Sequence, residues 1–291
     1  MAFAKSGDVT IYFDTFGRAS DPAVLLVSGL GSQCIGYEEE YCDMIASNGY
    51  FVIRFDNRDV GLSSRCDEAT LNGAAGSGAA SQANPSNSPY TLTDMANDGF
   101  SVLDELGVER AHVSGASMGG MIAQAMAIDH PQRLYSLTSI MSTTGDPDVG
   151  QSTPEAQHLL LSIVPSDLEG FIAMQLQAAR TWGSPDGFDS NAVRSAAVRA
   201  FERTSEPAGF ARQLKAIRLS GSRTEALRSL KVPTLVIHGS ADTLVSPSGG
   251  ERTAEVIPNA RFVLIDGMGH DRPPMFWKQL VGLQVSHFQS C

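Results

Sequence analysis

The chain has 291 residues, 42% of them hydrophobic and 18% charged, a globular balance long enough for one large α/β domain or for a domain with an insertion. Its formal net charge of −11 disfavours nucleic acid and anionic membrane surfaces as partners, because both demand clustered Lys and Arg. No apolar stretch reaches the roughly 18 residues of a membrane-crossing helix, and MAFAKSGDVTIYF lacks the long apolar segment of a secretory leader, so a soluble, cytoplasmic protein is expected.

In chain order, residues 8–13 alternate as a strand does, with Val9, Ile11 and Phe13 on one face. Residues 23–27 (AVLLV) form a continuous apolar run, which predicts a strand covered on both faces of a parallel sheet. The small-residue loop Ser28-Gly29-Leu30-Gly31-Ser32 follows. A helix is expected over 38–47, stopped by Asn48-Gly49, and then a strand over 50–55 that runs into Asp56-Asn57-Arg58-Asp59. Residues 65–89 are dominated by Gly, Ala, Ser and Asn and have too few large apolar side chains to fold alone. They read as a long mobile loop, either inert or part of an entrance rim.

A helix over 93–106 is predicted with Thr93 as its cap. A short β run from Ala111 leads into Gly115-Ala116-Ser117-Met118-Gly119, and helical periodicity continues to about His130. Residues 134–141 form another strand. From 142 to 230 the β pattern disappears, and helices are expected at 154–163, 168–181, 191–204, 208–219 and 224–230. Strands resume at 233–238 and 261–265, each followed by a helix. Alternating strands and helices imply a mostly parallel sheet flanked by helices. The expected division is a core of 1–145 and 231–291, with 146–230 inserted as a helical cap.

The pentapeptide 115–119 fits G-x-S-x-G, the sharp strand-to-helix turn that lifts a serine above a sheet and places it at a helix N-terminus. Its chemistry needs partners, and in a parallel sheet these gather beyond the carboxyl ends of strands. After 233–238 comes Gly239-Ser240-Ala241-Asp242, and after 261–265 comes Asp266-Gly267-Met268-Gly269-His270. Imidazole suits the base because it titrates near neutrality, and a carboxylate fixes its tautomer. Ser117, Asp242 and His270 are therefore the candidate catalytic residues, with Asp146 as the competing acid. The backbone N–H groups of Leu30 and Met118 are the candidate oxyanion donors. His112, His130, His158 and His287 stand in weaker contexts. The four cysteines (Cys34, Cys42, Cys66, Cys291) show no C-x-x-C spacing and no zinc-type cluster is present, so no metal is expected.

These pieces (S-G-L-G at 28–31, D-N-R-D-V-G-L-S at 56–63, G-A-S-M-G-G at 115–120, G-S-A-D at 239–242 and G-M-G-H at 267–270) resemble the α/β-hydrolase superfamily over nearly the whole chain. More narrowly, Asp94-Met95-Ala96 and residues 139–145 are similar to a bacterial esterase group that includes aclacinomycin methylesterase. The resemblance implies the α/β-hydrolase fold with a helical cap and no cofactor. It also implies carboxylic ester hydrolysis through an acyl-enzyme, on a small to medium apolar ester such as a methyl ester. One departure is Ser28-Gly29, where the family usually has His-Gly. Asp56 and Arg58 are expected to brace the loop after their strand as a structural pair. Apolar cap residues, Phe171, Met174 and Trp182 among them, are candidates for the substrate pocket or else simply hold the cap helices together. Two other activities fit the same motifs: a cofactor-free perhydrolase or haloperoxidase-like reaction, and a non-catalytic ligand-binding role. The expected partner is a small-molecule ester; oligomeric state is left open, a homodimer included.

Overall fold

A computed structural model describes residues 2–66, 90–204 and 207–291. Residues 67–89, which include most of the expected loop, lie outside the described residues. Among the described residues eight strands form one sheet: β1 (Ala2–Ser6), β2 (Val9–Phe16), β3 (Ala23–Val27), β4 (Phe51–Phe55), β5 (Ala111–Ala116), β6 (Leu134–Ile140), β7 (Thr234–Gly239) and β8 (Arg261–Ile265). Their order is β1-β2-β4-β3-β5-β6-β7-β8. The two pairings made by β2 are antiparallel, and every pairing from β4 to β8 is parallel.

All five residues of β3 are buried, and the pleat sends them alternately to two cores. Leu25 and Val27 join Ile53, Val113, Met118 and Ile122 on one side. Val24 and Leu26 join Tyr41, Ile45, Ile237 and Leu280 on the other. Each such aliphatic side chain contributes about 1.5–3 kcal/mol when fully buried. The first core is covered by α2 (Leu92–Glu105) and α3 (Met118–Asp129). The second is covered by α1 (Glu39–Ala46) and, at the end of the chain, α10 (Pro274–Phe288). Helix α3 is apolar nearly all round and buried from Met118 to Ala127 because the sheet and α2 enclose it.

Two local expectations change. Helix α2 is capped by Thr91, not Thr93: the Thr91 backbone N–H and hydroxyl both donate to the Asp94 carboxylate, at 2.7 and 2.8 Å. Spacing explains this, since a capping box needs its acid three residues after the cap. Asp56 and Arg58 do not pair with each other. Arg58 makes a bidentate bond to the buried Asp98, with both contacts at 2.7 Å, while Asp56 meets Arg203 at 2.7 Å. They point to opposite neighbours, α2 and the helical block.

That block lies between β6 and β7. It comprises α4 (Pro154–Leu160), α5 (Leu168–Trp182), α6 (Ser190–Arg203), α7 (Pro207–Ser220) and α8 (Thr224–Leu227). Thr153, Asp167 and Asp189 cap α4, α5 and α6 through their side-chain oxygens, each cap contributing about 1 kcal/mol. Helix α9 (Ser248–Val256) then joins β7 to β8. No helix among the described residues is long and apolar enough to cross a membrane.

Candidate active site

Four loops meet at the carboxyl ends of β3, β5, β7 and β8. Ser117 follows β5 directly, at φ 56° and ψ −123°, a conformation unfavourable for a side chain with Cβ. The surroundings over-determine it. Its N–H donates to the Ile140 carbonyl at 2.9 Å, and its own carbonyl accepts from Gly120 N–H at 2.9 Å and Ser142 Oγ at 2.8 Å. The flanking glycines are steric necessities: a Cβ at Gly115 would collide with the Gly119 carbonyl, and one at Gly119 with the Val27 carbonyl.

His270 Nε2 lies 2.9 Å from Ser117 Oγ, and His270 Nδ1 lies 2.7 Å from Asp242 Oδ2. Because a carboxylate only accepts, Nδ1 is the protonated nitrogen and Nε2 faces the serine hydroxyl as acceptor. The Asp242 Oδ1 atom accepts the Leu244 and Val245 N–H groups, both at 2.9 Å. Burial works against its charge, but the His270 imidazole and hydrogen bonds from His238, His270 and the Val245 N–H outweigh this and hold the carboxyl at about 2.

Asp146 is elsewhere. It accepts from Thr224 Oγ1 at 2.6 Å, from Ser222 Oγ and from Arg252 at 2.9 Å, so its carboxylate ties the loop after β6 to α8 and α9. His238 was not singled out in the sequence. It is fully buried at the end of β7, donates through Nε2 to the Val245 carbonyl at 2.8 Å and stands 3.4 Å from Asp242 Oδ2. Its only sequence signal was its position four residues before the acid.

The loop after β3 passes over the elbow. A Cβ on Gly29 would lie 3.3 Å from the Ser117 Cβ and 3.8 Å from its Oγ. Neither the Leu30 nor the Met118 N–H has an acceptor among the described residues. Ser28, which stands in the usual histidine position, is buried. Its carbonyl accepts Asn57 Nδ2 at 2.9 Å, and its hydroxyl has no partner among the described residues.

The helical block touches the acid and base loops through the end of α5. The Trp182 carbonyl accepts the His270 N–H at 2.6 Å, and the Thr181 carbonyl accepts Thr243 Oγ1 at 2.7 Å. Ser184 Oγ accepts the Gly269 N–H at 2.9 Å and donates to Asp271 at 2.5 Å. Trp182 is the last residue of α5 rather than part of the turn beyond it. Phe171 packs its ring on Phe201 at 5.6 Å between centroids, so it joins α5 to α6; Met174 is half-buried on the same helix. Surface clefts of about 570 and 460 Å³ lie elsewhere, one lined by Met44, Val281 and Val285, the other by Ala127, Tyr135 and Pro233, and neither contains Ser117, Asp242 or His270. Among the described residues no group of three or more His, Cys, Asp or Glu is arranged to hold a metal ion.

Known proteins share this architecture. The chain is 27% identical to rhodomycin D methylesterase DnrP of Streptomyces peucetius, over 96% of this chain and 95% of that protein. It is 24% identical to 3-oxoadipate enol-lactonase 2 of Acinetobacter baylyi, over 89% and 86%. Among solved structures, the meta-cleavage product hydrolase CumD of Pseudomonas fluorescens IP01 superposes with a TM-score of 0.77 at 20% identity, covering 100% of this chain and 98% of that one, a likeness of fold. The sequence profile of the alpha/beta hydrolase fold matches residues 22–272, most of the chain, and the protein belongs to that family.

Proposed function

We propose that this chain is a carboxylic ester hydrolase that works through an acyl-enzyme on Ser117. The observation that carries the reading is the continuous hydrogen-bonded line from Ser117 Oγ through His270 to Asp242, set on a strained elbow. The serine oxygen attacks the ester carbonyl while its proton passes to His270 Nε2. Oxygen charge develops against the Leu30 and Met118 N–H groups. The alcohol leaves with the proton from the imidazolium, and water repeats the sequence to free the acid. Asp242, ionised and held by three donors besides His238, keeps the imidazole in the needed tautomer.

Similarity supports a substrate class. A relative named as a methylesterase aligns over nearly the full chain, and another is named as an enol-lactonase; both names describe opening of a carboxylic ester bond. We assign this chain a small to medium apolar ester, with methyl esters as first candidates. Residues 146–230 act as its cap. Trp182 is the strongest wall candidate because it adjoins His270, with Met174 and Phe171 behind it on α5.

A panel of p-nitrophenyl esters of graded chain length, extended by methyl esters of polycyclic acids, tests the substrate class. A fluorophosphonate should label Ser117 alone. Ser117→Ala should lose roughly 10⁵-fold or more in kcat/KM while its melting temperature stays close to that of the wild type. Substantial turnover by the folded alanine variant would exclude the mechanism.

A further inference from the structure

The loop that offers Leu30 is a tight turn gripped from outside the core. Its Ser32 N–H donates to the Gly29 carbonyl at 3.2 Å, and Gly31 sits at φ +66° while Leu30 keeps a negative φ. That combination is a type II turn with glycine at its third position. The closing bond fixes the two ends of such a turn. The Leu30 N–H lies on the first peptide of the turn, Gly29–Leu30, while the central peptide, between Leu30 and Gly31, has no partner within the turn and needs one outside it to hold the turn in place.

Gln213 of α7 takes hold of that peptide. Its Oε1 accepts the Gly31 N–H at 2.8 Å, and its Nε2 donates to the Arg58 carbonyl at 2.8 Å. The side chain is wholly buried, and reversing its amide would set donor against donor. Phe210, on the same helix face, packs its ring onto Gly31 and leaves no room for a side chain there. The far shoulder of the loop is held by Gln33, whose Nε2 donates to the Ala200 and Thr204 carbonyls at 2.7 and 2.9 Å and whose Oε1 accepts Arg203 at 2.7 Å. The helical block thus fixes the turn from both sides.

We propose that Gln213 is a positioning residue for the oxyanion: by holding the Leu30–Gly31 peptide against α7 it fixes the seat of the whole turn, and with it the adjoining Gly29–Leu30 peptide whose N–H faces the oxygen that gains charge above Ser117. This rests on the ester-hydrolase reading. A donor contributes most when its direction is set before the charge appears, because nothing need reorganise during the reaction. Loss of a donor outright typically costs about 10²–10³-fold in kcat, and a donor left in place but loosened should cost less.

The test compares Gln213→Met, which keeps the length and removes both bonds, with Gln213→Glu, which keeps the acceptor for Gly31 and loses the donor to Arg58. Three quantities are read: kcat and KM on p-nitrophenyl butyrate, Ki for a trifluoromethyl ketone whose serine adduct carries an oxyanion, and the melting temperature. Gln213→Met should lower kcat about tenfold, raise the ketone Ki by the same factor, and leave KM within about twofold. Gln213→Glu should recover part of both losses. Should Gln213→Met not fold, Gln213→Asn, whose amide cannot span both partners, is read in its place with the same expected losses. Wild-type kcat and ketone Ki in a folded Met or Asn variant overturn the positioning role, and so does an equal loss of substrate and ketone affinity. A wild-type protein that neither turns over any ester nor binds the ketone overturns the hydrolase reading itself, and Gln213 with it.

Discussion

Strand β5 begins among aromatic rings and ends at the Ser117 elbow, and the two ends of the sheet use imidazole differently. At the amino end, His112 is packed by Phe288, Tyr135 and Tyr50 at centroid distances of 4.6, 5.3 and 5.8 Å, and its Nδ1 meets the Ser136 hydroxyl at 2.8 Å. Burial, with His287 and Arg110 nearby, pushes it down to about 4, so it serves as a neutral packing unit. At the carboxyl end, His270 is also nearly enclosed, yet one ring nitrogen faces a carboxylate and the other a hydroxyl. Enclosure therefore does not distinguish a packing histidine from one proposed to transfer a proton. The partners do: a carboxylate behind the ring supports the imidazolium, and burial beside His287 and Arg110 with no carboxylate partner opposes it.

The sharpest way to break the contrast is to remove the carboxylate's charge. Asp242→Asn should lower kcat by roughly 10⁴-fold, because an amide at this position favours the wrong tautomer. Asp146→Asn, at the end of β6, should change kcat less than about threefold, since its bonds go to Ser222, Thr224 and Arg252. The depressed Asp242 carboxyl also has a sign in stability. Its contribution is fully present above the ordinary value of 3.8 and is lost as pH falls through about 2. The difference in melting temperature between wild type and Asp242→Asn should therefore shrink across that window.

A smaller effect is expected one layer out. Trp182→Ala should alter the ratio of kcat/KM between long and short acyl esters by roughly 10–200-fold, the range an altered apolar contact provides, and spare p-nitrophenyl acetate. Unchanged kcat/KM on both esters would mean that Trp182 serves only through its carbonyl bond to His270, which the alanine variant retains.

The smallest effect belongs to the amino end. His112→Gln should leave kcat unchanged. In the wild type the unfolded chain takes up a proton near 6.5 that the folded chain resists until about 4. Stability should consequently decline as pH falls through that interval, and the glutamine variant should show a flatter profile of melting temperature against pH.

How much of this was legible in the sequence depends on the range of each signal. Ser117, Asp242 and His270 could be named because each follows a strand whose apolar run is local and unmistakable. Strand β1 was missed because AFAKS is a short edge strand with only Ala4 buried, which leaves no alternation to read. His238 looked like the end of a β run, since nothing in a single sequence says which way a strand-end side chain turns. Gln213 and Gln33 were invisible for a different reason. A glutamine in an amphipathic helix reads as solvated, and its bond to Gly31 spans 182 residues of chain. The Asp56 and Arg58 partners, Arg203 and Asp98, were likewise set by tertiary packing and not by neighbourhood.

The hydrogen bonds at the end of α5 bear on how substrate range can be re-engineered. The helical block of a relative cannot be exchanged as one cassette, because Thr181, Trp182 and Ser184 hold the loops of Asp242 and His270 while Ala200, Arg203, Thr204 and Gln213 grip the turn at Leu30. Transplants confined to residues 154–180 and 185–199 leave those seams intact and still replace Phe171 and Met174. Chimeras cut through 181–184 or 200–213 would exchange specificity and machinery together, and inactive progeny from such a library would carry no information about substrate fit.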